Sequence, residues 1–349
     1  MKTPLIFDGH NDVLHQQFQG GASARAGFST GNKYHIDMPK ARAGGFGGGF
    51  FAIWVPSVMD GDAMTAQMSQ PSYDIPMPAP LEQGFALGVA LKQVRLLADL
   101  EADNALKICT STKDIRATMQ SGTMAAVMHM EGAEAIDPDF DALHVLYRAG
   151  LRSLGPVWSR ANIFGHGVPF RFPSSGDTGP GLSEAGFALV RECNRLRIML
   201  DMSHLNEAGF WDAVKTSDAP IVATHSNAYE ICPNARNLTN RQLHAIRDSG
   251  GMVGLNFATA FLRPDGQMLP DTGLDVMLRH LDHLITHAGE DHVGLGSDFD
   301  GAMVPEGIAD IAGLPTLRAA MVAHGFDKAL IEKLCHRNWL AVLGKTWQA

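Results

Sequence analysis

Cysteine is scarce in this sequence, and the few that occur are scattered. The 349 residues contain four cysteines, and none of them forms a CxxC pair or has the spacing of a zinc ribbon. This pattern excludes a dense disulfide framework and a cysteine-based zinc module. We therefore expect a protein of a reducing compartment, the cytoplasm. The four residues are Cys109, Cys193, Cys232 and Cys335.

Long apolar runs and concentrated positive charge are also absent. Glycines interrupt the apolar stretch 44–56 and charges interrupt 91–100, so no run reaches the length of a membrane span. We expect no signal peptide, because residues 1–12 lack an extended apolar segment before a small-residue cleavage site. The formal net charge of -9, without a run of Lys or Arg, argues against binding to nucleic acid or to an anionic membrane. The expected partner is a small molecule.

Short apolar runs that end in polar or glycine-containing turns recur along the chain, and helical patterns lie between them. This alternation predicts parallel β–α units, and eight units close naturally into a (β/α)8 TIM-like barrel. We expect one α/β domain over residues 1–349, with an open doubly wound sheet as the alternative. The predicted strands are 5–7, 49–55, 125–130, 151–157, 198–202, 220–224, 251–257 and 292–296. The predicted helices are 81–100, 111–121, 140–149, 183–196, 206–216, 239–248 and 272–288.

Two segments do not follow the alternation. Residues 57–80 contain four prolines and show neither a helical nor a strand period. They predict a loop insertion near the functional site, either a surface excursion or a lid over the substrate. Residues 308–349 predict a helical extension that packs on the outside of the barrel.

Polar residues at the ends of the predicted strands point to a metal centre. His10 and Asp12 follow the first strand and, being two residues apart, face the same side of an extended chain. Glu131 ends the third strand, where its two carboxylate oxygens could bridge two cations. His129, two residues earlier, is expected to be a hydrogen-bonded core histidine.

Later strands end in similar residue types. His204 follows the fifth strand and His225 the sixth, and two neutral imidazoles suit a zinc ion. Asp298 follows the eighth strand and is predicted to carry a proton, whereas Asp300 is expected to cap the loop. Each signal is ordinary alone, but five strands ending in a ligand or an acid predict a centre with two divalent cations, with zinc as the expected metal.

Two cations bridged by Glu131 would lower the pKa of a shared water and so provide a metal-bridging hydroxide near neutral pH. The residues therefore predict a metal-assisted hydrolase in which Glu131 and Asp298 are catalytic. The ligand set alone does not distinguish amides from esters, lactones or phosphoryl compounds.

The chain resembles the membrane dipeptidase (renal dipeptidase) family from Phe7 to Gly301. The resemblance implies a zinc-dependent dipeptidase of the amidohydrolase-like barrels, with dipeptides as substrates and a homodimeric assembly. The implied ligands are His10 and Asp12 for one zinc, His204 and His225 for the other, and Glu131 as the bridge. The matching motifs are Asp8 to Asp12, Gly44-Gly45 with 47–49, Glu131-Gly132, Gly181 to Ser183, Asp201 to His204, His225-Ser226 and Gly296 to Gly301.

Substrate contacts follow from the same resemblance. Arg236 matches the arginine that receives the C-terminal carboxylate of the dipeptide, a task that suits a guanidinium fork. The family usually has a histidine after the fourth strand, but this chain has Trp158, which is expected to shape the substrate pocket. His166 lies between two glycines, and one hypothesis is that it folds back to replace that histidine. The alternative is an ordinary loop histidine.

Other functions remain open at this point. A binuclear barrel hydrolase of N-acyl amino acids, other amides, lactones or phosphoesters would share the metals but not the carboxylate contact of Arg236. A non-catalytic metal-binding relative would retain the barrel without turnover, and the departure at Trp158 makes that conceivable. The stereochemistry of the dipeptide, including possible L,D-dipeptides, is left undetermined.

Overall fold

Eight parallel strands form the centre of the molecule. The structure is a computed structural model that describes residues 3–57 and 61–348. All eight predicted strands overlap observed ones. The barrel strands are β1 (Ile6–Asn11), β2 (Phe46–Trp54), β3 (Met124–Glu131), β4 (Leu151–Gly155), β5 (Met199–Leu200), β6 (Val222–Ala223), β7 (Met252–Leu255) and β8 (Val293–Leu295).

Backbone hydrogen bonds close these strands into a barrel. Strands β1 to β5 are neighbours in chain order in one parallel sheet, and β6 to β8 form a second. The amide of Met202 donates to the carbonyl of Val222 (2.8 Å), which joins β5 to β6. The amide of Asp12 donates to the carbonyl of Phe299 (2.9 Å), which joins the ends of β1 and β8. The predicted (β/α)8 architecture is confirmed, and the open sheet is not the fold.

Helices surround the strands, and several begin at side chains that accept a backbone amide. Ser111, Ser183 and Thr239 each cap a helix in this way, and Thr239 forms a reciprocal capping box with Gln242. Within the described ranges, no helix combines the length and apolarity required to cross a membrane. The α-helices are α1 (Val13–Thr30), α2 (Met38–Gly44), α3 (Gly61–Met68), α4 (Gln83–Ala102), α5 (Thr112–Ser121), α6 (Asp141–Ala149), α7 (Glu184–Leu196), α8 (Glu207–Thr216), α9 (Asn240–Asp248), α10 (Thr259–Leu262), α11 (Leu274–Ala288), α12 (Leu314–His324), α13 (Lys328–Glu332) and α14 (Asn338–Trp347).

Short elements complete the fold. Strand Tyr73–Ile75 pairs antiparallel with Phe170–Phe172, and Leu106–Ile108 runs parallel beside β3. Single helical turns cover Glu290–His292 and Ile311–Gly313, and a π-helical turn covers Lys333–Arg337. The predicted helices correspond to α4 to α9 and α11, whereas α1 was not predicted. Its sequence contains Gly20 and Gly21, and the latter has φ 58°, outside the helical range.

The C-terminal helix α14 does not pack only on the outside of the barrel. Trp339 is fully buried, and its indole Nε1 donates to the carbonyl of Leu295 (2.9 Å) in the barrel wall. A Cβ atom on Gly9 would lie 2.5 Å from this indole, and one on Gly294 would lie 2.8 Å from it. These glycines make room for the ring inside the barrel. The expectation of an external extension is therefore wrong for α14.

The insertion at 57–80 is more ordered than its sequence pattern indicates, although residues 58–60 lie outside the described ranges. It contains α3 and the strand Tyr73–Ile75. Met68 and Tyr73 are buried in one apolar cluster with Phe172 and Phe261, which come from other loops. The prediction of a segment without helix or strand is wrong, because these elements are stabilised by long-range packing that local periodicity does not reveal. The segment lies beside the functional site, because Met64 and Met68 line the cavity there.

Candidate active site

Five side chains from the ends of four strands converge on one point. Glu131 lies in the middle, with Oε2 3.6 Å from Nε2 of His10. Its other oxygen, Oε1, lies 2.9 Å from Nε2 of His204 and 3.5 Å from Nε2 of His225. His10 Nε2 is also 3.4 Å from Oδ2 of Asp12. The two oxygens of one buried carboxylate thus face two different sets of ligand atoms.

Asp298 joins this group from the loop after β8. Ligand atoms of His10, Asp12 and Asp298 all lie within 4.8 Å of one another. The backbone of Asp298 has φ 60°, its amide donates to the carbonyl of His10 (3.1 Å), and Oδ2 accepts from Nδ2 of Asn256 (2.9 Å). A Cβ atom on Gly301 would lie 2.0 Å from Oδ2 of Asp12, so this loop needs glycine there to approach the ligands.

Hydroxyl groups fix the orientation of the two histidines beside Oε1 of the glutamate. Nδ1 of His204 is 2.9 Å from Oγ of Ser159, and Nδ1 of His225 is 2.8 Å from Oγ1 of Thr224. Thr224 donates its hydroxyl proton to Oδ2 of Asp201 (2.6 Å), so it accepts the bond from Nδ1–H of His225. The Nε2 lone pair of that ring is then free to bind a metal.

A hydrogen-bonded carboxylate, that of Asp201, links the ends of β5 and β6 and was not predicted from the sequence. The Asp201 carboxylate accepts from the amide and hydroxyl of Ser203 (3.0 and 2.6 Å) and from the amide of Thr224 (2.8 Å). His129 Nε2 lies 3.5 Å from the same carboxylate, and its Nδ1 is 2.8 Å from Oγ of Ser153. His129 is thus a buried, hydrogen-bonded histidine. Asp201 belongs to the family-like motif Asp201 to His204, whereas Thr224 is indicated only by its position next to His225.

The electrostatics of the centre differ from one ligand to the next. Burial alone would lower the pKa of His10, but the Glu131 and Asp12 carboxylates outweigh that effect and raise it to about 10. Burial raises the pKa of Glu131 well above its ordinary value. Burial and neighbouring positive charges lower the pKa of His204 and His225 well below the ordinary range. In the metal-free protein the centre therefore holds one charged imidazole and two neutral ones.

These donors fit divalent cations of the transition series. In the described part of the chain, neither ring nitrogen of the buried His10 has a hydrogen-bond partner. A mixture of imidazole nitrogens and carboxylate oxygens is typical of zinc and its neighbours, whereas calcium and magnesium prefer oxygen alone. One cation would contact His10 and Asp12, the other His204 and His225, and Glu131 would contact both.

A cavity of about 360 Å³ opens onto the centre. The ring of Trp158 forms part of its wall, 5.9 Å from the ring of His204 between centroids. Met64 and Met68 of the insertion also line it. Its other aromatic and methionine lining residues are Trp54, Phe170, Phe261 and Met268.

Arg236 lies beside the metal ligands, and two of its guanidinium nitrogens donate to no described residue. Its side chain is buried, one nitrogen (Nη2) donates to the carbonyl of His225 (3.3 Å), and the guanidinium stands 5.4 Å from the centroid of the Phe261 ring. Among the described residues, its Nε and Nη1 atoms have no acceptor. Burial lowers its pKa to about 10, so the group stays charged at neutral pH. Arg236 is not among the described residues that line the cavity, and a carboxylate would satisfy this cation where it comes within reach of Nε and Nη1.

His166 is placed differently from the other predicted site residues. It is half-buried, and its backbone carbonyl accepts from the amide of Asn206 (3.2 Å). It is not among the described residues that line the cavity. Trp158, by contrast, lines the cavity. Its loop is fixed two residues later, where the buried Arg160 guanidinium binds Oε1 of Glu134 (2.9 and 3.0 Å).

The chain is similar over most or all of its length to known proteins. The family model for membrane dipeptidase (peptidase family M19) matches residues 1–349. A metallo peptidase from Rhodobacter sphaeroides, solved with a phosphinate mimic of the dipeptide L-Ala-D-Ala, is 54% identical and covers 99% of this chain and 100% of its own, with a TM-score of 0.97. An uncharacterized protein from the pqqA 5′ region of Klebsiella pneumoniae is 48% identical over 76% of this chain and 98% of its own. The probable dipeptidase PvdM from Pseudomonas aeruginosa shares the fold, with a TM-score of 0.83 over 99% of this chain and 96% of its own at 24% identity.

Proposed function

The chain belongs to the membrane dipeptidase family, and from that premise we propose that it hydrolyses the peptide bond of dipeptides, including those with a D residue in second place. The predicted family and the predicted class, a hydrolytic metallopeptidase, are confirmed by the match over the full chain. The inclusion of L,D-dipeptides is supported by the relative from Rhodobacter sphaeroides, which binds a mimic of L-Ala-D-Ala at 54% sequence identity.

The position of Arg236 supports a dipeptide as the substrate. A dipeptide has a free carboxylate within a few bonds of its scissile carbonyl, and simple lactones lack that arrangement. The buried guanidinium next to the metal ligands has two nitrogens for which no described residue provides an acceptor, and this suits a carboxylate held at a fixed distance from the centre. This contact would position the peptide carbonyl near Glu131.

We propose two zinc ions as the cofactors, one held by His10 and Asp12 and one by His204 and His225, with Glu131 bridging them. When bound, such a pair would supply a hydroxide near neutral pH by lowering the pKa of a water molecule. The remaining steps depend on side chains of the protein. No side-chain nucleophile is needed.

Asp298 is proposed to move the proton. Burial raises the pKa of its carboxyl, so it holds a proton at a higher pH than an exposed aspartate does. The hydrogen bond from Asn256 keeps this carboxyl directed towards the centre. It can accept a proton from the attacking water and return it to the leaving amine. The aromatic walls, including Trp158, would exclude bulk water from the site during this transfer.

The role suggested for His166 stays a prediction. Contact with the substrate would require its loop to move towards the cavity, because His166 does not line it. If H166A leaves kcat and KM unchanged on the best dipeptide, Trp158 alone shapes this side of the pocket.

The decisive experiment compares free and amidated dipeptides. Zinc-loaded protein is assayed with L,L- and L,D-dipeptides and their C-terminal amides, with a chelated control, by following the release of free amino acids. We expect cleavage of the free dipeptides, and R236M should lower kcat/KM on them by about 10² or more, since it removes charge-assisted hydrogen bonds. R195M, a surface substitution, serves as the matched control. Equal losses on free and amidated substrates would contradict the carboxylate contact.

A homodimer in the cytoplasm completes the proposal. The dimer is supported by the family resemblance, and the compartment by four cysteines that are all free and buried. Light scattering would test the assembly, because a mass equal to one chain of 37.5 kDa would contradict it.

A further inference from the structure

Three histidines form a cluster in the helical layer outside the barrel. His283 and His287 are four residues apart on α11 and therefore share one face of that helix. His244 lies on the neighbouring helix α9. The ring centroids of His283 and His287 are 4.4 Å apart, and those of His244 and His287 are 5.4 Å apart. The three imidazoles thus meet across one helix–helix contact.

The separation between two ring nitrogens in this cluster matches a metal site. Nδ1 of His287 lies 3.3 Å from Nε2 of His244. Two imidazole nitrogens bound to one tetrahedral zinc at about 2.0–2.1 Å are about 3.3–3.4 Å apart. As a hydrogen bond, 3.3 Å is longer than the usual N–H···N or N–H···O distance of about 2.9–3.0 Å.

The contacts of His244 and His287 also leave both imidazoles available as metal ligands. In the described part of the chain, neither His244 nor His287 has a carboxylate within 4 Å, so neither is paired as a cation. His283 Nε2 binds Oδ1 of Asn240 (2.6 Å) and lies 3.6 Å from Oε2 of Glu230.

We propose that His244 and His287 form a second metal site, separate from the catalytic centre, for a transition cation of the zinc, nickel and copper class. The ring centroid of His283 lies 4.4 Å from that of His287, so His283 could supply a third ligand only after its ring has turned away from Asn240. The ion would connect α9 to α11 on the outside of the barrel. Magnesium and calcium are excluded as occupants, since both prefer oxygen ligands.

The test measures metal content without relying on activity. Full-length protein without a histidine tag is dialysed against micromolar Zn²⁺, and the bound zinc per chain is measured by mass spectrometry. We expect H244N/H287N to hold one equivalent fewer than the wild type. H324N is the matched control and should keep the wild-type content, because His324 is a surface imidazole bound instead to Asp282 (2.8 Å).

A spectroscopic measurement distinguishes ligation from a nonspecific loss. Cu²⁺ added to the zinc-loaded wild type should give an electron paramagnetic resonance component with coupling to imidazole nitrogens that H244N/H287N, treated in the same way, does not show. Dipeptide turnover should be the same in both proteins, since neither residue belongs to the catalytic site. Equal zinc content in the wild type and H244N/H287N, or an equal loss in H324N, would overturn the proposal.

Discussion

The two sides of the catalytic centre are built differently. On one side, which we call the carboxylate side, His10 and Asp12 stand with Asp298. On the other, the imidazole side, the Nε2 atoms of His204 and His225 lie 3.2 Å apart. The imidazole side has a hydroxyl group on each Nδ1, whereas His10 has no hydrogen-bond partner on either nitrogen in the described structure.

Strand length accounts for this difference. His10 lies within β1, a strand of six residues, and Asp12 follows that strand directly, where backbone hydrogen bonds from Asp12 to Phe299 and from Asp298 to His10 join the ends of β1 and β8. Strands β5 and β6 have two residues each, so the histidines that follow them lie beyond the ladder. There the Asp201 carboxylate fixes the chain that carries the two histidines through its hydrogen bonds to Ser203 and Thr224. The carboxylate side thus combines strand β1 with the hydrogen bonds from Ser297 to the Asp8 carboxylate (2.7 and 2.8 Å), whereas the imidazole side depends on the Asp201 hydrogen bonds beyond two short strands.

The largest expected effect comes from E131Q, which changes the one residue that both sides share. An amide keeps the shape of the side chain but loses the charge and one of the two oxygen ligands, so it cannot bridge two cations. We expect kcat/KM on dipeptides to fall on the order of 10³ or more, with loss of bound zinc. E192Q, at a surface glutamate, is the control. Full zinc content together with substantial turnover in E131Q would contradict a bridging role.

Single-side variants should separate the two metal preferences. D12A should keep a zinc ion on the imidazole side but lose the cation of the carboxylate side, and H225A should do the reverse. Because oxygen-rich sites accept manganese more readily than imidazole sites do, the carboxylate side that H225A retains should bind added Mn²⁺ more readily than the imidazole side that D12A retains. Activity should fall by about 10² or more in both. Identical metal profiles for the two variants would show that the sides are not distinct.

Much of this centre could be predicted from the sequence. The ligands lie directly after apolar runs, so local patterns place His10, Glu131 and His225 at strand ends, and the barrel then brings those ends together. Helix caps such as Thr239 are also local signals. Prediction succeeded where the information lies within a few residues of the chain.

The remaining features depend on contacts between distant parts of the chain. The hydroxyls of Ser159 and Thr224 matter because of the rings they meet, which no spacing rule specifies. Trp339 enters the barrel because Gly9 and Gly294, more than three hundred and about forty-five residues away, leave space for it. Helix α3 is stabilised by packing against other loops. Such features follow from the closed fold and not from periodicity.

T224V tests whether hydrogen bonds position the imidazole side. Valine has nearly the same shape as threonine but cannot accept the bond from His225 or donate to Asp201, so the ring is no longer held. We expect zinc affinity on the imidazole side to fall by about 10–100-fold, as for other partners of metal-binding histidines. The carboxylate side should be unaffected. T216V, at a hydroxyl on α8 that binds only the carbonyl of Asp212, is the control, and an equal effect in both variants would indicate general destabilisation.

The smallest expected effect is a difference in protons released. His10, with its pKa raised to about 10, carries a proton in the metal-free protein at pH 8 and must lose it to bind a cation. His204 and His225, with lowered pKa values, are already neutral and have none to release. Calorimetric titration of H225A with zinc, in buffers of different ionisation enthalpy, should therefore show release of about one proton or more from the carboxylate side, with affinity rising as the pH rises towards 10. The same titration of D12A, which retains only the imidazole side, should show less, and equal release would mean that the charge difference between the two sides does not exist.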